Sequence, residues 1–310
     1  MSRLATATIH LGALRANLAR VRALAAPAKV MAVVKADGYG HGLERVARAL
    51  ADADAFGVAA IADGLRLRAA GHRQRIVVLS GPDSAADLAE LRRLDLDAVI
   101  HHHSQLGWLE ATAGAPIRVW MKVDTGMHRL GFPAAQAAAV HARLSAMPAV
   151  ADDIVLMTHF AASDEFDNRL TARQIDTFQR AAAGLPGPRS LSNSAALLGW
   201  PAARGDWVRA GGVLYGLSAI EGKSGAELGF RPAMRLTTRL IAINDLKRAE
   251  RVGYAATWEA PEDMRLGVAA IGYGDGYPRS AAAGTPVRIN GQAARIVGRV
   301  SMDLVTLDLR

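Results

Sequence analysis

The sequence predicts an α/β fold in which a (β/α)8 TIM-like barrel is followed by a mainly antiparallel β domain. Three observations lead to this prediction. Eight apolar, β-branched runs of strand length recur between residues 29 and 216, and segments with apolar residues at helical spacing lie between them. After about residue 230, shorter strand-like runs alternate with turn signals.

The barrel strands are predicted from runs rich in valine, isoleucine and leucine. They cover residues 29–35, 55–60, 75–80, 96–101, 117–125, 153–160, 189–194 and 207–216. Between them, an apolar residue every third or fourth position predicts helices. These segments cover residues 11–26, 43–52, 86–94, 135–147 and 171–184.

The C-terminal part reads as an antiparallel β domain. Its strand-like runs cover residues 235–243, 265–273, 285–289, 294–300 and 302–309. The dipeptide Asn290-Gly291 between two runs predicts a tight hairpin. We expect residues 1–10 to form an N-terminal strand that joins this domain, residues 11–229 to form the barrel and residues 230–310 to form the β domain.

The composition of the chain excludes several classes of function. The absence of cysteine excludes disulfides, thiolate metal sites and cysteine nucleophiles. The net charge of +8 is spread along the chain, without a basic arm or a zinc-finger spacing, so no nucleic-acid partner is expected. MSRLATATIHLG lacks the apolar run of a signal peptide, and no stretch approaches the roughly 20 apolar residues of a membrane span. We therefore expect a cytoplasmic protein that does not contact membranes.

Several polar side chains close the predicted strands, where the active site of a (β/α)8 barrel gathers. Lys35 ends the first strand, and it either snorkels to the rim or serves as a neutral nucleophile whose pKa is lowered by burial. The fifth strand ends with Lys122 and Asp124 on one face. Arg129 in the loop beyond is either a carboxylate clamp or a surface arginine. The sixth strand ends at His159.

The last two strands indicate an anion site. Ser194 opens a helix after the seventh strand, and the eighth carries Arg209, followed by Gly211 and Gly212. Barrels commonly bind phosphate at this position with hydroxyls and backbone N–H groups, although a serine before a helix is usually only an N-cap. Together with a lysine on the first strand, the pattern indicates a phosphorylated carbonyl cofactor, pyridoxal 5′-phosphate (PLP).

Eight sequence blocks surround these residues and extend along nearly the whole chain. They are AVVKADGYGHG (32–42), MKVDTGMHRLGF (121–132), MTHFAASDE (157–165), SNSAA (192–196), VRAGGVLYG (208–216), VGYAATW (252–258), IGYGDGYPR (271–279) and VGRVSMD (297–303). In these blocks and in their order, the sequence resembles the barrel-type, PLP-dependent alanine racemases.

The resemblance implies that the protein interconverts L-alanine and D-alanine by a two-base mechanism. Lys35 would hold PLP and act as the base on the D-alanine face, and Tyr254 would act on the L-alanine face. The tyrosine would hydrogen-bond to His159, which would contact Arg209, so that nearby cationic donors stabilise the phenolate. Arg209 would also face the pyridine nitrogen and leave it unprotonated, because arginine keeps its own proton.

The resemblance implies the remaining site residues as well. Arg129 and Met302 would contact the substrate carboxylate, Lys122 matches a lysine that is often N-carbamylated, and no metal is expected. The cofactor-binding residues would be Lys35, Tyr39, His159, Ser194, Arg209, Gly211, Gly212 and Tyr273.

The resemblance also bears on assembly and role. Tyr254, Tyr273 and Met302 would reach the site from a second subunit, which implies a head-to-tail homodimer with shared active sites. Family members usually continue beyond the motif that contains Met302, whereas this sequence ends at Arg310. We therefore expect either a truncated chain or a shortened member of the family, in both cases with an incomplete β domain. The enzyme would either supply D-alanine for peptidoglycan or serve alanine catabolism.

Three other functions compete with this interpretation. PLP-dependent amino-acid decarboxylases share the two-domain plan but generally use an acidic partner at the pyridine nitrogen and a cysteine from the second subunit. Non-catalytic PLP-binding barrel proteins lack a β domain. A metal-dependent hydrolase is suggested by His101, His102 and His103, but adjacent side chains point to alternate faces of a strand and chelate one ion poorly.

Overall fold

The polypeptide divides into two units in the computed structural model, which describes residues 4–310. The barrel unit comprises residues 9–233. The β unit combines the N-terminal residues up to Thr8 with residues 234–310. Residues 1–3 of the predicted N-terminal strand lie outside the described residues.

The strands and helices are numbered along the chain. The strands are β1 (Thr6–Ile9), β2 (Lys29–Val33), β3 (Ala55–Val58), β4 (Arg75–Val78), β5 (Asp97–Ile100), β6 (Val119–Asp124), β7 (Phe132–Pro133), β8 (Val155–Met157), β9 (Arg189–Ser190), β10 (Trp207–Ala210), β11 (Met234–Thr237), β12 (Leu240–Leu246), β13 (Arg251–Val252), β14 (Trp258–Glu259), β15 (Met264–Ala269), β16 (Pro286–Ile289), β17 (Gln292–Val297) and β18 (Val305–Asp308). The α-helices are α1 (Leu11–Ala25), α2 (Lys35–Tyr39), α3 (Leu43–Ala49), α4 (Ile61–Ala69), α5 (Asp87–Arg93), α6 (His103–Ala111), α7 (Ala137–Ser145), α8 (Leu170–Ala181) and α9 (Ser194–Gly199).

Eight parallel strands form the barrel. They are ordered β2-β3-β4-β5-β6-β8-β9, and β10 pairs back onto β2 with Trp207 opposite Lys29. Between the last two strands, the Arg209 N–H donates to the Ser192 carbonyl at 3.0 Å. The strands β2 to β6 are buried along almost their whole length, as parallel strands covered by helices must be. The predicted (β/α)8 barrel is therefore confirmed.

The barrel is filled with apolar side chains at the amino end of its strands. Trp120 and Trp207 pack edge to face there with ring centroids 5.3 Å apart. Beside them lies the carboxylate of Asp97, which is fully buried. It accepts hydrogen bonds from Arg118 Nε at 2.6 Å, Arg75 Nε at 2.9 Å and Trp120 Nε1 at 3.0 Å. Such a carboxylate is tolerated in the interior only because every oxygen is paired.

All eight barrel strands end earlier than the sequence predicts. The largest differences are at β2, which ends at Val33 rather than 35, at β8, which ends at Met157 rather than 160, at β9, which ends at Ser190 rather than 194, and at β10, which ends at Ala210 rather than 216. At each of these positions the chain leaves the parallel ladder and turns over the mouth of the barrel. The polar residues after each strand therefore lie in loops at the carboxyl end of the barrel.

The β unit contains a five-stranded antiparallel sheet in the order β12-β15-β18-β17-β16. Asn290 and Gly291, with φ of 49° and 88°, form the two-residue turn between β16 and β17, as predicted for a hairpin of this type. The buried core of the β unit includes Ile271, Ile296 and Leu307. A separate two-stranded sheet joins β1 to β11. These strands confirm the predicted antiparallel β domain.

Candidate active site

A cavity of about 600 Å³ opens at the carboxyl ends of the barrel strands. It is the place where loops from all parts of the barrel unit converge, and it collects each site residue that the sequence predicted within residues 9–233. These are Lys35, Tyr39, Lys122, Arg129, His159, Ser194, Arg209, Gly211 and Gly212.

The turn that carries Lys35 has an unusual backbone. Helix α2 is a left-handed turn, with φ of 54° at Ala36, 52° at Asp37 and 62° at Gly38. Each non-glycine residue in this conformation costs roughly 1–2 kcal/mol, so the turn needs support. The Asp37 carboxylate supplies it by accepting the Leu43 N–H at 3.1 Å. The backbone thus lifts Lys35 out of the β2 ladder and into the cavity.

The environment of Lys35 makes its ammonium group more acidic than that of a surface lysine. Its side chain reaches solvent through the cavity mouth, yet its pKa lies below the ordinary value because the amine is partly desolvated and because the Arg129 guanidinium is near. Desolvation and a second positive charge both disfavour the ammonium form. Lys35 is therefore poised to give up its proton more readily than a surface lysine.

Lys122 is more deeply buried, with 7% of its surface exposed. Burial, together with the charges of Arg209 and Arg129, lowers the pKa of Lys122 to about 8. Among the described residues, none forms a hydrogen bond or an ion pair with its amine. Asp124, which the sequence places on the same strand face, instead turns away and accepts the N–H groups of Gly126, Met127 and His128 at 3.0–3.1 Å. Its carboxylate shapes the loop that carries Arg129.

Arg209 and His159 form the floor of the cavity, where Arg209 is buried and His159 is partly exposed. Arg209 is 4% exposed and donates to the carbonyls of Thr158 at 2.6 Å and Ser190 at 2.8 Å. Burial lowers the pKa of Arg209 to about 10, which still leaves it charged at neutral pH. Its Nη2 lies 3.3 Å from His159 Nδ1.

The histidine itself is neutral. Burial and the Arg209 charge lower the pKa of His159 to about 3. Because arginine is only a donor, Nδ1 accepts and the ring proton is assigned to Nε2. The positive charge on this side of the cavity therefore belongs to Arg209.

An anion cradle lies between β9 and β10. The Ser194 hydroxyl accepts the Gly211 N–H at 3.0 Å, whereas the N-cap of α9 is Asn193, which accepts from Ala196 N at 2.9 Å. Ser194 is thus not consumed as a cap, and its hydroxyl hydrogen is left to face the cavity. A Cβ built on Gly211 would come 2.6 Å from the Tyr39 hydroxyl oxygen, so a larger residue there would displace the tyrosine hydroxyl.

The cavity is electrostatically positive. Four cationic side chains line it, and the carboxylate among its lining residues is Asp164. The cationic ones are Lys35, Lys122, Arg129 and Arg209. A surplus of fixed positive charge in a partly enclosed pocket attracts anions and stabilises them there. The site is suited to a ligand that carries phosphate and carboxylate groups.

The other three predicted site residues lie in the β unit. Tyr254 is 70% exposed, Met302 is 56% exposed and Tyr273 is 38% exposed within the described chain. The last two are neighbours, since the Tyr273 N–H donates to the Ser301 carbonyl and the Gly274 N–H donates to the Met302 carbonyl at 2.7 Å. The structure thus groups Tyr273 with Met302 and presents Tyr254 as an exposed side chain.

Some lining residues were missed by the sequence analysis. Ser163 and Asn193 line the cavity and hydrogen-bond to each other at 3.0 Å, and Leu79 and Ser80 line it from the end of β4. Ser163 and Asn193 lie within the blocks MTHFAASDE and SNSAA, and both follow the end of a barrel strand. That position after a strand end is the signal from which they could have been predicted. Leu79 and Ser80 carried no chemical signal of their own.

The consecutive histidines have separate partners. His101 Nε2 lies 2.8 Å from the Ser80 carbonyl, His102 caps α6, and His103 Nε2 lies 2.8 Å from Gln136 Oε1. Within residues 4–310, no group of three or more acidic, histidine or cysteine side chains is arranged to hold a metal ion. In the same part of the chain, every helix is too short or too polar to cross a membrane.

Family models and relatives match the chain over nearly all its length. The model described as alanine racemase, N-terminal domain, matches residues 9–219, and that of the C-terminal domain matches residues 233–310. A protein named alanine racemase from Shewanella loihica is 53% identical over 96% of this chain and 83% of its own length. Another from Halorhodospira halophila is 50% identical, covering 100% of this chain and 86% of its own.

Solved structures agree with these relatives. The biosynthetic alanine racemase from Pseudomonas aeruginosa superimposes with a TM-score of 0.95 at 44% identity, over 99% of this chain and 86% of its own. The alanine racemase from Bartonella henselae with covalently bound pyridoxal phosphate gives a TM-score of 0.86 at 25% identity, over 100% and 86%. The fold, the cavity and these similarities together show that the chain belongs to the alanine racemase family.

Proposed function

We propose that this protein is a PLP-dependent alanine racemase that uses Lys35 and Tyr254 as its two bases. The observation that carries the proposal is the placement of Lys35, Ser194, Arg209 and Gly211 around one positively charged cavity. A reactive amine lies on one side, an anion cradle on another and a buried guanidinium on the floor. The relative with covalently bound pyridoxal phosphate supports the same cofactor.

The residues of the cavity fit this cofactor. The Ser194 hydroxyl, the backbone around Gly211 and Gly212, and the Tyr39 hydroxyl would hold its phosphate. The Tyr39 hydroxyl lies close enough to Gly211 that a Cβ there would contact it at 2.6 Å, which places the hydroxyl beside the Gly211 backbone. Arg209 would donate to the pyridine nitrogen, and since its own proton stays in place, that nitrogen stays unprotonated. Tyr273 would complete the cofactor site.

Racemisation requires a proton to leave one face of Cα and to return on the other. When bound, PLP supplies an electron sink that makes this Cα–H bond acidic. Lys35, whose pKa is lowered in the cavity, would take or give the proton on the D-alanine face. The Tyr254 phenol oxygen would do so on the L-alanine face. In this two-base arrangement, one group removes the proton from its face of Cα and the other returns a proton on the opposite face.

His159 and Arg209 would tune the tyrosine base. With Nδ1 accepting from Arg209, the Nε2–H of the neutral ring is the donor left to stabilise a phenolate at Tyr254. Hydrogen bonding to the charged form lowers a pKa, and the guanidinium behind the ring polarises it further. Arg129 and Met302 would bind the alanine carboxylate and so orient Cα between the two bases.

Lys122 is proposed to carry a carbamate. At a pKa of about 8, part of the amine is unprotonated at neutral pH, and a neutral amine adds to carbon dioxide with the loss of one proton. The resulting anion would pair with Arg129 and offset the crowding of positive charge. Carbon-13 NMR of protein equilibrated with labelled bicarbonate should show a carbamate signal that is missing in Lys122→Met.

The assembly and the physiological role extend the proposal. The exposure of Tyr254 and Met302 in the β unit supports a head-to-tail homodimer in which each subunit completes the partner's site. D-alanine supply for peptidoglycan, or use of alanine as a nutrient, would follow from the reaction. A decarboxylase is not favoured, because Arg209 stands where those enzymes generally use an acid. A non-catalytic barrel is not favoured either, because the β unit is present.

The proposal is tested with purified protein and its Lys35→Ala variant. Borohydride reduction followed by peptide mass spectrometry should find PLP on Lys35 of the wild-type chain, and circular dichroism should follow conversion of L-alanine to D-alanine. Lys35→Ala should keep the fold and lose both signals. Wild-type protein that binds PLP at no lysine, or that leaves alanine, serine and lysine enantiomers unchanged, would refute the proposal.

A further inference from the structure

Helix α8 sends one buried polar side chain toward the cavity floor, that of Gln174. It is fully buried, and each polar atom of its amide has a partner. Oε1 accepts the Ala161 N–H at 3.0 Å. Nε2 donates to the His159 carbonyl at 3.1 Å and to Thr125 Oγ1 at 3.2 Å.

The orientation of this amide is dictated by its partners. The Ala161 N–H is only a donor and the His159 carbonyl is only an acceptor, so a rotated amide would oppose two like groups. One side chain therefore joins the segment after β8 to the residue that follows β6. The segment after β8 carries His159, and the segment after β6 begins the loop that leads to Arg129.

The hydrogen bonds continue beneath the site. Thr125 Oγ1 lies 2.8 Å from Thr158 Oγ1, and both side chains are buried. The Thr158 carbonyl in turn accepts from Arg209 Nη2 at 2.6 Å. Gln174 is thus connected to the cavity floor by direct bonds at His159 and, through two threonines, at Arg209. In a buried network of this kind, each missing member leaves its partners unpaired.

We propose that Gln174 is a positioning residue of the active site, which fixes the His159 segment and couples it to the start of the Arg129 loop. It touches neither substrate nor cofactor and acts through the residues it holds. The inference rests on the proposed function for its effect on turnover, while its effect on the backbone can be measured independently. His159 is held at its carbonyl by Gln174 and at its ring by Arg209. These two contacts would keep the imidazole ring in position for the tyrosine base.

Three variants on α8 test this role. Gln174→Met preserves length and volume but removes all three hydrogen bonds. Gln174→Glu keeps the acceptor for the Ala161 N–H and loses the amide donor toward His159 and Thr125. Thr171→Val is the matched control: it lies one turn earlier on the helix and is fully buried, and among residues 4–310 its Oγ1 is the buried side-chain atom without a hydrogen bond. Removing that hydroxyl costs no bond.

The first readout is hydrogen exchange of the Ala161 amide in the holoenzyme. Exchange should accelerate in Gln174→Met and stay near wild type in Gln174→Glu and Thr171→Val. The second readout is turnover. In both Gln174 variants kcat should fall by about 10- to 100-fold, since a misplacement of about 1 Å can cost that much, with a smaller rise in KM for alanine. Thr171→Val should match the wild type.

The role would be refuted if Gln174→Met retained wild-type kcat. It would also be refuted if the loss of kcat merely followed a loss of folded protein or of bound PLP, both measured on the same samples. A wild-type protein that fails to racemise alanine would instead refute the proposed function. In that case, unchanged Ala161 exchange in Gln174→Met would still refute the positioning role, and accelerated exchange would retain it.

Discussion

The two units of the molecule present their functional residues in opposite ways. In the barrel unit, Arg209 is 4% exposed and Lys122 is 7% exposed, and their pKa values are lowered by burial. In the β unit, Tyr254 is 70% exposed and Met302 is 56% exposed. The barrel unit buries these two charges and holds Arg209 with short hydrogen bonds, whereas the β unit offers side chains at its surface.

The difference teaches where the properties of each residue come from. A buried guanidinium with carbonyls at 2.6–2.8 Å has its position and charge state set by its own unit. An exposed tyrosine has few neighbours in its unit, so its environment depends on whatever surface covers it. We expect the barrel unit to supply most of the cofactor contacts and the β unit to contribute mainly to the proton transfer.

The largest expected effect comes from Tyr254→Phe. Loss of a general base typically costs about 10²- to 10⁴-fold in rate, so kcat for L-alanine should fall by this range. PLP content and the absorbance of the bound cofactor should stay unchanged, because Tyr254 is not among the proposed cofactor contacts. Racemisation followed by circular dichroism, with absorbance recorded on the same samples, checks both.

The same variant tests whether two subunits share a site. Lys35→Ala and Tyr254→Phe are each expected to be inactive, and refolding them together should restore part of the activity through hybrid dimers with one intact site. The two proteins refolded separately and then mixed serve as the control. Wild-type activity in Tyr254→Phe, or no recovery on mixed refolding while dimers form, would contradict the division of labour.

The next effect concerns the buried charge at the other end of the barrel. Asp97→Asn leaves Arg75 without its anion and leaves Arg118 with only the exposed carboxylate of Asp95, 2.7 Å away, and breaking a buried pair costs about 3–5 kcal/mol. The two arginines are 25% and 34% exposed in their side chains, so water offsets part of this loss and about 3 kcal/mol is expected. Urea denaturation measures it.

A surface pair provides the comparison for Asp97. Glu90 and Arg93 form an ion pair at 2.5 Å with both side chains about half exposed. Because solvent screens such pairs, Glu90→Gln should leave the denaturation midpoint unchanged. Equal losses in the free energy of unfolding for Asp97→Asn and Glu90→Gln would show that burial does not determine how much an ion pair contributes to stability.

The smallest expected effect is a pH dependence that comes from His159. Its pKa falls from about 6.5 in the unfolded chain to about 3 in the fold, so the unfolded state takes up the proton first as the pH drops. The stability that this group contributes is present above pH 6.5 and is lost progressively toward pH 3. Between pH 7 and 5 the loss is about 2 kcal/mol. Urea denaturation of cofactor-free wild type and His159→Gln should differ by this amount, and parallel pH profiles would contradict the assignment.

Much of the fold was predictable because its signals are local. The β-branched runs, the helical spacing between them and the Asn290-Gly291 turn each depend on a few adjacent residues, and the structure contains all of them. The strand ends at Lys35 and His159 were predicted too long, because the same apolar residues that favour a strand continue into the turns over the barrel mouth. Only contacts across the barrel decide where each ladder stops.

The candidate site was predictable to the extent that its residues close strands or lie in the quoted blocks. Their meeting in one cavity is a consequence of the parallel barrel, which brings all strand ends to one rim. Gln174 escaped notice, because it lies in the middle of a helix and its partners are 13 to 49 residues away. The neutral state of His159 could not be inferred either, since it follows from burial beside Arg209.

The sequence by itself determined the residue types, their order along the chain and the alternation of strands and helices, because these depend on side-chain chemistry and local backbone preference. The tertiary structure alone decided which groups are buried, which nitrogen of His159 accepts from Arg209, how far the pKa of Lys122 falls and that Asp124 shapes a loop rather than entering the cavity. Those properties arise from desolvation and from contacts between distant segments, and neither exists until the barrel has folded.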